Sequence, residues 1–278
     1  MTSQVILITG GSSGIGYETA KSLAQQGHIV YAAARRVDRM EPLRAVGVRP
    51  LSLDVTDETS MQNAVRTILA EQNRIDVLIN NAGYGSLGAV ENVSQDEAHR
   101  QLEVNVFGLA RLIQLVLPTM RAQHAGRIIN IASIAGKVTL ANCGWYNVSK
   151  FAVEALSDAL RMEVKPYGID VVIIEPGAIK TDWGLIAADY LANSSRGTVY
   201  EHFANKEATL MRRLYTSNLL SGPDSVRKAL CKAVNAHRPR LRYQPGLGAN
   251  LIIYTHAILP SRWWDALNRW LINKLPNQ

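Results

Sequence analysis

The stretch with the most chemical content is Tyr146-Asn147-Val148-Ser149-Lys150. A tyrosine and a lysine four residues apart on a helix share one face. A free phenol has a pKa of about 10 and is a poor base at neutral pH, but an adjacent ammonium favours the phenolate. Such a pair gives a proton to a carbonyl or takes one from an alcohol. The same spacing also occurs on plain surface helices, so the chemistry needs further polar groups and a cofactor. Two groups lie upstream. Ser133 ends the apolar run Arg127-Ile128-Ile129-Asn130-Ile131-Ala132, and the carboxyl end of a central parallel strand is where ligands bind. A serine there also serves as an ordinary turn residue. Asn105 sits among apolar neighbours in a helical stretch from Ser94 to Met120, where an unpaired amide is costly. It either bonds a backbone carbonyl or holds a water that relays protons to Lys150.

The elements that position these groups begin with Val5-Ile6-Leu7-Ile8, a continuous apolar run of the kind buried parallel strands show. It leads into Thr9-Gly10-Gly11-Ser12-Ser13-Gly14-Ile15-Gly16 and then a helical pattern. Glycines at this turn let the backbone approach a pyrophosphate, and free N–H groups at the helix start bind the anion. The second strand, His28 to Ala34, ends in Arg35-Arg36 with no acid. An acid there bonds the adenosine ribose, whereas arginine accommodates a 2′-phosphate, so the pair favours NADP(H). Leu51 to Val55 closes a third strand, with Asp54 placed to bond the adenine edge, and Thr56-Asp57-Glu58 caps the next helix. A fourth strand, Ile75 to Ile79, ends in Asn80-Asn81-Ala82-Gly83, small enough for close ligand approach.

The 278 residues, 47% apolar and 19% charged, suit one large α/β domain. The first residues carry no basic segment and no long apolar stretch, so neither a signal peptide nor a membrane span is expected. Cys143 and Cys231 form no disulfide framework, and six histidines are scattered without metal-ligand spacing. No metal is expected, and a reducing cytoplasm is the default compartment. The net charge of +7 is uneven: from Lys206 onward there are 12 Lys/Arg against 3 Asp/Glu, leaving 18 against 20 before it. That last quarter is either a solvated basic face or a meeting place for an anionic substrate, a membrane surface or nucleic acid.

With Tyr146 thirteen residues after Ser133, the chain resembles the short-chain dehydrogenase/reductase family. The matches, in family order over residues 5 to about 181, are Thr9-Gly10-x-x-x-Gly14-Ile15-Gly16, Asn80-Asn81-Ala82-Gly83, Asn105, Ser133, Tyr146-x-x-x-Lys150 and Glu175-Pro176-Gly177. The resemblance implies a Rossmann-type doubly wound α/β parallel sheet of about seven strands in the order 3-2-1-4-5-6-7. It implies Tyr146 as acid/base, Lys150 lowering its pKa and bonding the nicotinamide ribose, Ser133 positioning the carbonyl, and Asn105 anchoring a relay water. The cofactor contacts it implies are Thr9, Gly10, Ser12, Ser13, Gly14, Ile15, Gly16, Arg35, Arg36, Asp54, Val55, Asn81, Ala82, Gly83, Tyr146, Lys150, Pro176, Gly177, Ile179 and Thr181. It also implies a homo-oligomer, dimer or tetramer, paired through the helices around 94–120 and 145–166, whereas a tail covering that surface leaves a monomer.

One domain is expected over 1–278, divided into a core (1–181), a substrate lid (182–222) and a C-terminal part (223–278). The lid carries many aromatic and aliphatic residues, Trp183 among them, and a lining of Ser133, Cys143, Tyr146 and Trp183 suits a lipophilic carbonyl or alcohol. In the tail, Ser261 starts an amphipathic helix with Trp263, Trp264, Leu267, Trp270, Leu271 and Leu275 on one side and Arg262, Asp265, Arg269 and Lys274 outside it. That stripe packs on its own domain, on a partner subunit, or on a membrane surface. Its arrangement resembles the 17β-hydroxysteroid dehydrogenase branch. The reading is therefore an NADP(H)-dependent oxidoreductase acting on a lipophilic carbonyl or alcohol. A cofactor-sensing regulator that binds nucleic acid is the alternative, and it has no need of an intact Asn-Ser-Tyr-Lys set.

Overall fold

The apolar runs form strands β1 (Val5–Thr9), β2 (Ile29–Ala34), β3 (Arg49–Ser52), β4 (Val77–Asn80), β5 (Gly126–Ile131), β6 (Ile169–Ile174) and β7 (Arg242–Tyr243). In the computed structural model, which describes residues 3–273, they pair in parallel in the order β3-β2-β1-β4-β5-β6-β7. The order expected from the sequence is the order found. Among the described residues, helices α1 (Gly14–Gln25), α2 (Glu58–Gln72), α3 (Gln95–Leu102), α4 (Gly108–Ala122), α5 (Gly144–Val164), α6 (Asp182–Ser194), α7 (Glu201–Thr216) and α8 (Asp224–Asn235) lie between the strands, and α9 (Ala249–Ile258) and α10 (Ser261–Asn273) follow β7.

Successive strand residues point to opposite faces, so each strand feeds two cores. Val5, Leu7, Tyr31 and Ala33 meet the inner faces of α2, α4 and α5, whereas Ile6, Ile8, Val30 and Ala32 meet α1 and α8. Burial on both sides is why these runs are continuously apolar. The strand order reverses between β1 and β4, which opens a crevice at their carboxyl ends.

The helix expected from Ser94 to Met120 forms, but not as uniform α-helix. A π turn at Glu103–Phe107 separates α3 from α4, and the Gly108 N–H reaches back five residues to Glu103. Such turns bulge the backbone and collect at functional sites. This one carries Asn105. By length and composition Gln95–Ala122 is apolar enough to cross a membrane; here Leu109, Leu112, Val116 and Met120 are buried in the sheet core.

After β6 the chain leaves the sheet through α6 and α7 and returns at the bridge between Ile179 and Ser221. These helices make a third apolar cluster, with Leu87, Tyr146, Ala187, Ala188, Leu191, Ala204 and Ala208 buried together. Gly184 is required there, since a Cβ would lie 2.0 Å from the Tyr215 ring. The tail has two helices rather than the one expected. Trp264 docks on the domain, donating Nε1–H to the Thr139 carbonyl at 3.1 Å and meeting His256 edge-on at 4.9 Å. Trp263, Trp270 and Leu271 remain more than half exposed, so the domain covers the stripe only in part. Lys274 and Leu275 lie outside the described residues.

Candidate active site

The glycine turn is braced from behind. Thr9 Oγ1 accepts from the backbone N–H groups of Asn81 and Ala82, both at 3.0 Å. Asn81 Nδ2 donates to the carbonyls of Thr9 (2.9 Å) and Gly10 (3.3 Å). Thr9 and Asn81, expected among the cofactor contacts, thus use their side chains to join β1 to β4 and shape the crevice. Gly10 has φ +68°, and a Cβ there would lie 2.8 Å from Asn81 Nδ2; one on Gly16 would lie 2.4 Å from the Gly10 carbonyl. The turn therefore requires glycine at both places.

Two other helix starts are self-satisfied. Asp57 accepts from the N–H groups of Thr59 and Ser60, and Ser94 accepts from that of Glu97, each with acids in the first turn. Helix α1 differs. Ser13 makes no capping bond, and no acid stands in the first turn. Its amides are left for an anion. Gly11 N–H donates to Ala33 O at 3.2 Å, holding the turn against the end of β2. Arg35 and Arg36 follow directly, exposed and without an ion-pair partner among the described residues. Asp54 spends one carboxylate oxygen on Thr56, at 3.0 Å to N–H and 2.8 Å to Oγ1. Beside it, the Val55 carbonyl approaches Gly108 so closely that a Cβ would lie 2.2 Å away. Ser12, Gly14, Ile15, Ala82 and Gly83 line the same end of the sheet, closed by the segment from Pro176 to Thr181, where Ile179 is buried and Thr181 approaches Gly14. Gly177 is tied in by its N–H to Pro245 O at 2.9 Å. The free helix start, the glycine cradle and the two arginines fit a dinucleotide.

The four chemical groups gather beside this crevice. Ser133 Oγ accepts from Ala135 N–H at 3.1 Å and donates to Pro176 O at 3.4 Å. It is also within reach of the Tyr146 phenol, which it pulls down, though burial acts more strongly and raises it. Lys150 Nζ donates to Ile131 O at 2.9 Å and stands 5.9 Å from the Tyr146 ring centre. The expectation that Lys150 makes the phenol acidic is therefore not met by direct contact: burial of the ring decides the phenol, and burial pushes the ammonium itself down to about 8. Asn105, 2% exposed, spends its side chain within the protein. Its Oδ1 accepts from Tyr84 N–H at 3.1 Å, and its Nδ2 donates to Tyr84 O at 2.9 Å and Ser149 Oγ at 3.1 Å. Of the two sequence readings, the structure shows the amide bonded to backbone. A Cβ on Gly83 would lie 3.0 Å from Asn105 Oδ1 and 3.8 Å from Lys150 Nζ, so all three converge.

Two further residues inside the pentapeptide hold the site together. Ser149 Oγ donates to Tyr146 O at 2.8 Å, linking Asn105 to the turn that carries Tyr146. Asn147 Nδ2 donates to the carbonyls of Ala135 and Val138, both at 2.8 Å, pinning α5 to the loop after Ser133. Polar residues on the inward side of a helix were the available signal. Glu154, one turn past Lys150, bonds Lys137 at 2.8 Å and Arg242 at 3.1 Å, and Glu175 bonds Arg242 at 2.9 Å. No local pattern marks that network.

Helices α6 and α7 pack against Tyr146. Trp183 lies 5.2 Å from Tyr146 and 6.4 Å from Tyr215, ring centre to centre. Cys143 joins the same cluster, and burial raises its thiol, consistent with an inert lining residue. Glu207 of α7 accepts from Asn142 Nδ2 at 2.7 Å, a contact not anticipated from the sequence.

Comparison with known proteins agrees with this geometry. Residues 4–185 match the short chain dehydrogenase family. A probable short-chain type dehydrogenase/reductase VdlC of Helicobacter pylori is 35% identical over 266 residues, 96% of this chain and 97% of that protein. A 3-ketodihydrosphingosine reductase of Bacteroides thetaiotaomicron is 47% identical over 182 residues, covering 65% of this chain and 66% of that protein. The crystal structure of a short-chain dehydrogenase from Streptomyces avermitilis superposes with TM-score 0.79 at 32% identity, covering 97% of this chain and 96% of that one. Neighbours with this fold include a serine dehydrogenase complexed with NADP+ and a Burkholderia phymatum protein in complex with NAD. The chain belongs to the short-chain dehydrogenase family of oxidoreductases.

Proposed function

We propose that the protein is an NADP(H)-dependent oxidoreductase that interconverts a lipophilic carbonyl and its alcohol. The observation that carries this reading is the pairing of Ser133 and Tyr146 beneath an apolar lid whose Trp183 packs on the Tyr146 ring. Bound along the crevice, the nicotinamide cofactor supplies or accepts the hydride. The protein's own groups do the rest. Ser133 and Tyr146 donate hydrogen bonds to the substrate oxygen and stabilise the charge that grows on it, and Tyr146 passes the proton. Lys150 holds a positive charge behind the site, and the lid excludes water.

Arg35 and Arg36 support the phosphorylated cofactor, because no acid among the described residues pairs with either. The relative named as a 3-ketodihydrosphingosine reductase supports a lipophilic substrate. We further propose peripheral contact with a lipid surface, supported by exposed Leu251, Tyr254, Ile258, Trp263, Trp270 and Leu271 on α9 and α10. Exposed Phe107, at the end of the π turn that leads into α4, and Val148 and Phe151 of α5 support a homo-oligomer formed through this face. Two unpaired thiols, Cys143 and Cys231, support a reducing cytoplasm.

The test is oxidation of NADPH and of NADH against ketones and aldehydes from short and polar to long-chain. The proposal expects turnover concentrated on lipophilic carbonyls and on NADPH. Preference for small polar carbonyls contradicts the substrate class, and preference for NADH contradicts the cofactor.

A further inference from the structure

The three carboxylates most withdrawn from solvent have cations. Asp76 pairs with Arg74 at 2.6 Å, Glu154 with Lys137 at 2.8 Å, and Glu175 with Arg242 at 2.9 Å. That is what burial of charge demands. Glu207 departs from the pattern. It is partly buried in the lid, deep enough that desolvation raises its carboxyl, yet its bond is to the neutral amide of Asn142. Among the described residues no lysine, arginine or histidine pairs with it.

Its position is next to the chemistry. Ala204, Glu207, Ala208 and Met211 fall at i, i+3, i+4 and i+7, one face of α7. Ala204 and Ala208 are buried in the cluster that holds Tyr146, with Cys143, Trp183 and Met211 packed against it. Glu207 is the charged residue on that apolar stripe, and its field reaches the Cys143 thiol. Asn142, its partner, is held 9% exposed in the left-handed region at φ +57°, four residues before Tyr146. One turn of α7 beyond Met211, Tyr215 borders the same space, its phenol pushed up to about 12 by burial.

We propose that Glu207 is a specificity-determining residue that pairs with a protonated amino group on the substrate, close to the carbonyl that Ser133 and Tyr146 hold. The favoured substrate is then a lipophilic aminoketone or amino alcohol, an inference that rests on the oxidoreductase reading above and narrows it. A desolvated carboxylate without a cation is a poor structural element and a good receptor for one. The amide of Asn142 aims the carboxylate and leaves the charge itself unneutralised.

The test compares a long-chain aminoketone with the neutral ketone of equal length, in wild type and in Glu207→Gln. The glutamine keeps the shape and the bond from Asn142 but removes the charge. The expected result is a loss of kcat/KM of roughly 30-fold or more for the aminoketone, the size of breaking one partner of a desolvated charge pair. The neutral ketone should be unaffected, and Glu207→Asp should keep part of the preference. Equal losses on both ketones, or no loss on either, would mean that Glu207 only latches the lid to Asn142, and would overturn the proposal. A second arm needs no turnover: dodecylamine and dodecanol are titrated into the NADPH complex, with binding read by calorimetry. Tighter binding of the amine that disappears in Glu207→Gln supports the site even if neither ketone is reduced, in which case the oxidoreductase reading falls alone. Should the glutamine variant fail to fold, the wild-type ratio decides, and dodecanol binding as tightly as dodecylamine overturns the proposal.

Discussion

At the scale of single residues, burial governs the site more than neighbouring charge does. Lys150 is pushed down by desolvation to about 8 from an ordinary value of 10.5, with Glu154 opposing. Between those values the unfolded chain binds more protons than the folded one, so this lysine makes stability rise with pH. Tyr146 is raised by burial, so its opposing contribution begins only where an unfolded tyrosine loses its proton, near pH 10. In the window from about pH 8 to 10 the Lys150 contribution stands without that opposition. Thermal melts should show wild type gaining on Lys150→Met across that window, and parallel curves would contradict a desolvated ammonium. The arginines at the end of β2 make a second residue-scale prediction. Changing Arg35 and Arg36 to alanine should weaken NADPH binding roughly tenfold or more, the worth of charge-assisted bonds to a phosphate, while leaving NADH unchanged. Equal loss of both cofactors would place the arginines elsewhere.

At the scale of elements, the sequence and the fold agree where a signal is local. The run Val5 to Ile8, the glycine turn and α1 were legible because continuous burial and a tight turn both leave their mark on neighbouring residues. Tyr146 and Lys150 were legible from helical spacing. The π turn at Asn105 was not, since one wider turn leaves the apolar period almost unchanged. Nor was Glu207, whose role depends on Asn142, 65 positions away in the chain. The same holds for Arg242, which ties β7 to β6 and α5 through Glu175, Glu154 and Asp158, partners 67 to 88 positions away. Burial raises the carboxyl of Glu175, so loss of that guanidinium leaves this buried acid with the neutral Gln244 amide at 2.6 Å and Lys137 only at 3.9 Å, while Glu154 keeps Lys137 at 2.8 Å. Arg242→Ala should lower stability by about 3 kcal/mol, read from denaturant unfolding. A change within 0.5 kcal/mol, the scatter of about ±0.5 typical of surface substitutions, would show the network to be ornamental.

At the scale of the molecule, the basic excess and the apolar tail have a common meaning only if they meet a surface together. Trp264 fixes α10 to the loop after β5, while Trp263 and Trp270 face outward. Removing residues 261–278 should abolish co-sedimentation with anionic vesicles and leave NADPH binding intact. Co-sedimentation unchanged by the deletion would exclude the tail as the contact. Under the proposed lipid contact, the lid, with Trp183 on Tyr146 and α10 packed near α7, lies beside that surface, where the proposed lipophilic substrate is met.

The central claim is that Tyr146 moves the proton in a carbonyl–alcohol interconversion. It is tested most directly by Tyr146→Phe, which keeps the ring that packs on Trp183 and removes the hydroxyl. The account predicts NADPH binding like that of wild type and turnover of a lipophilic ketone reduced by roughly 100-fold or more, the range for a lost general acid. Turnover near the wild-type rate, with NADPH bound, would contradict it.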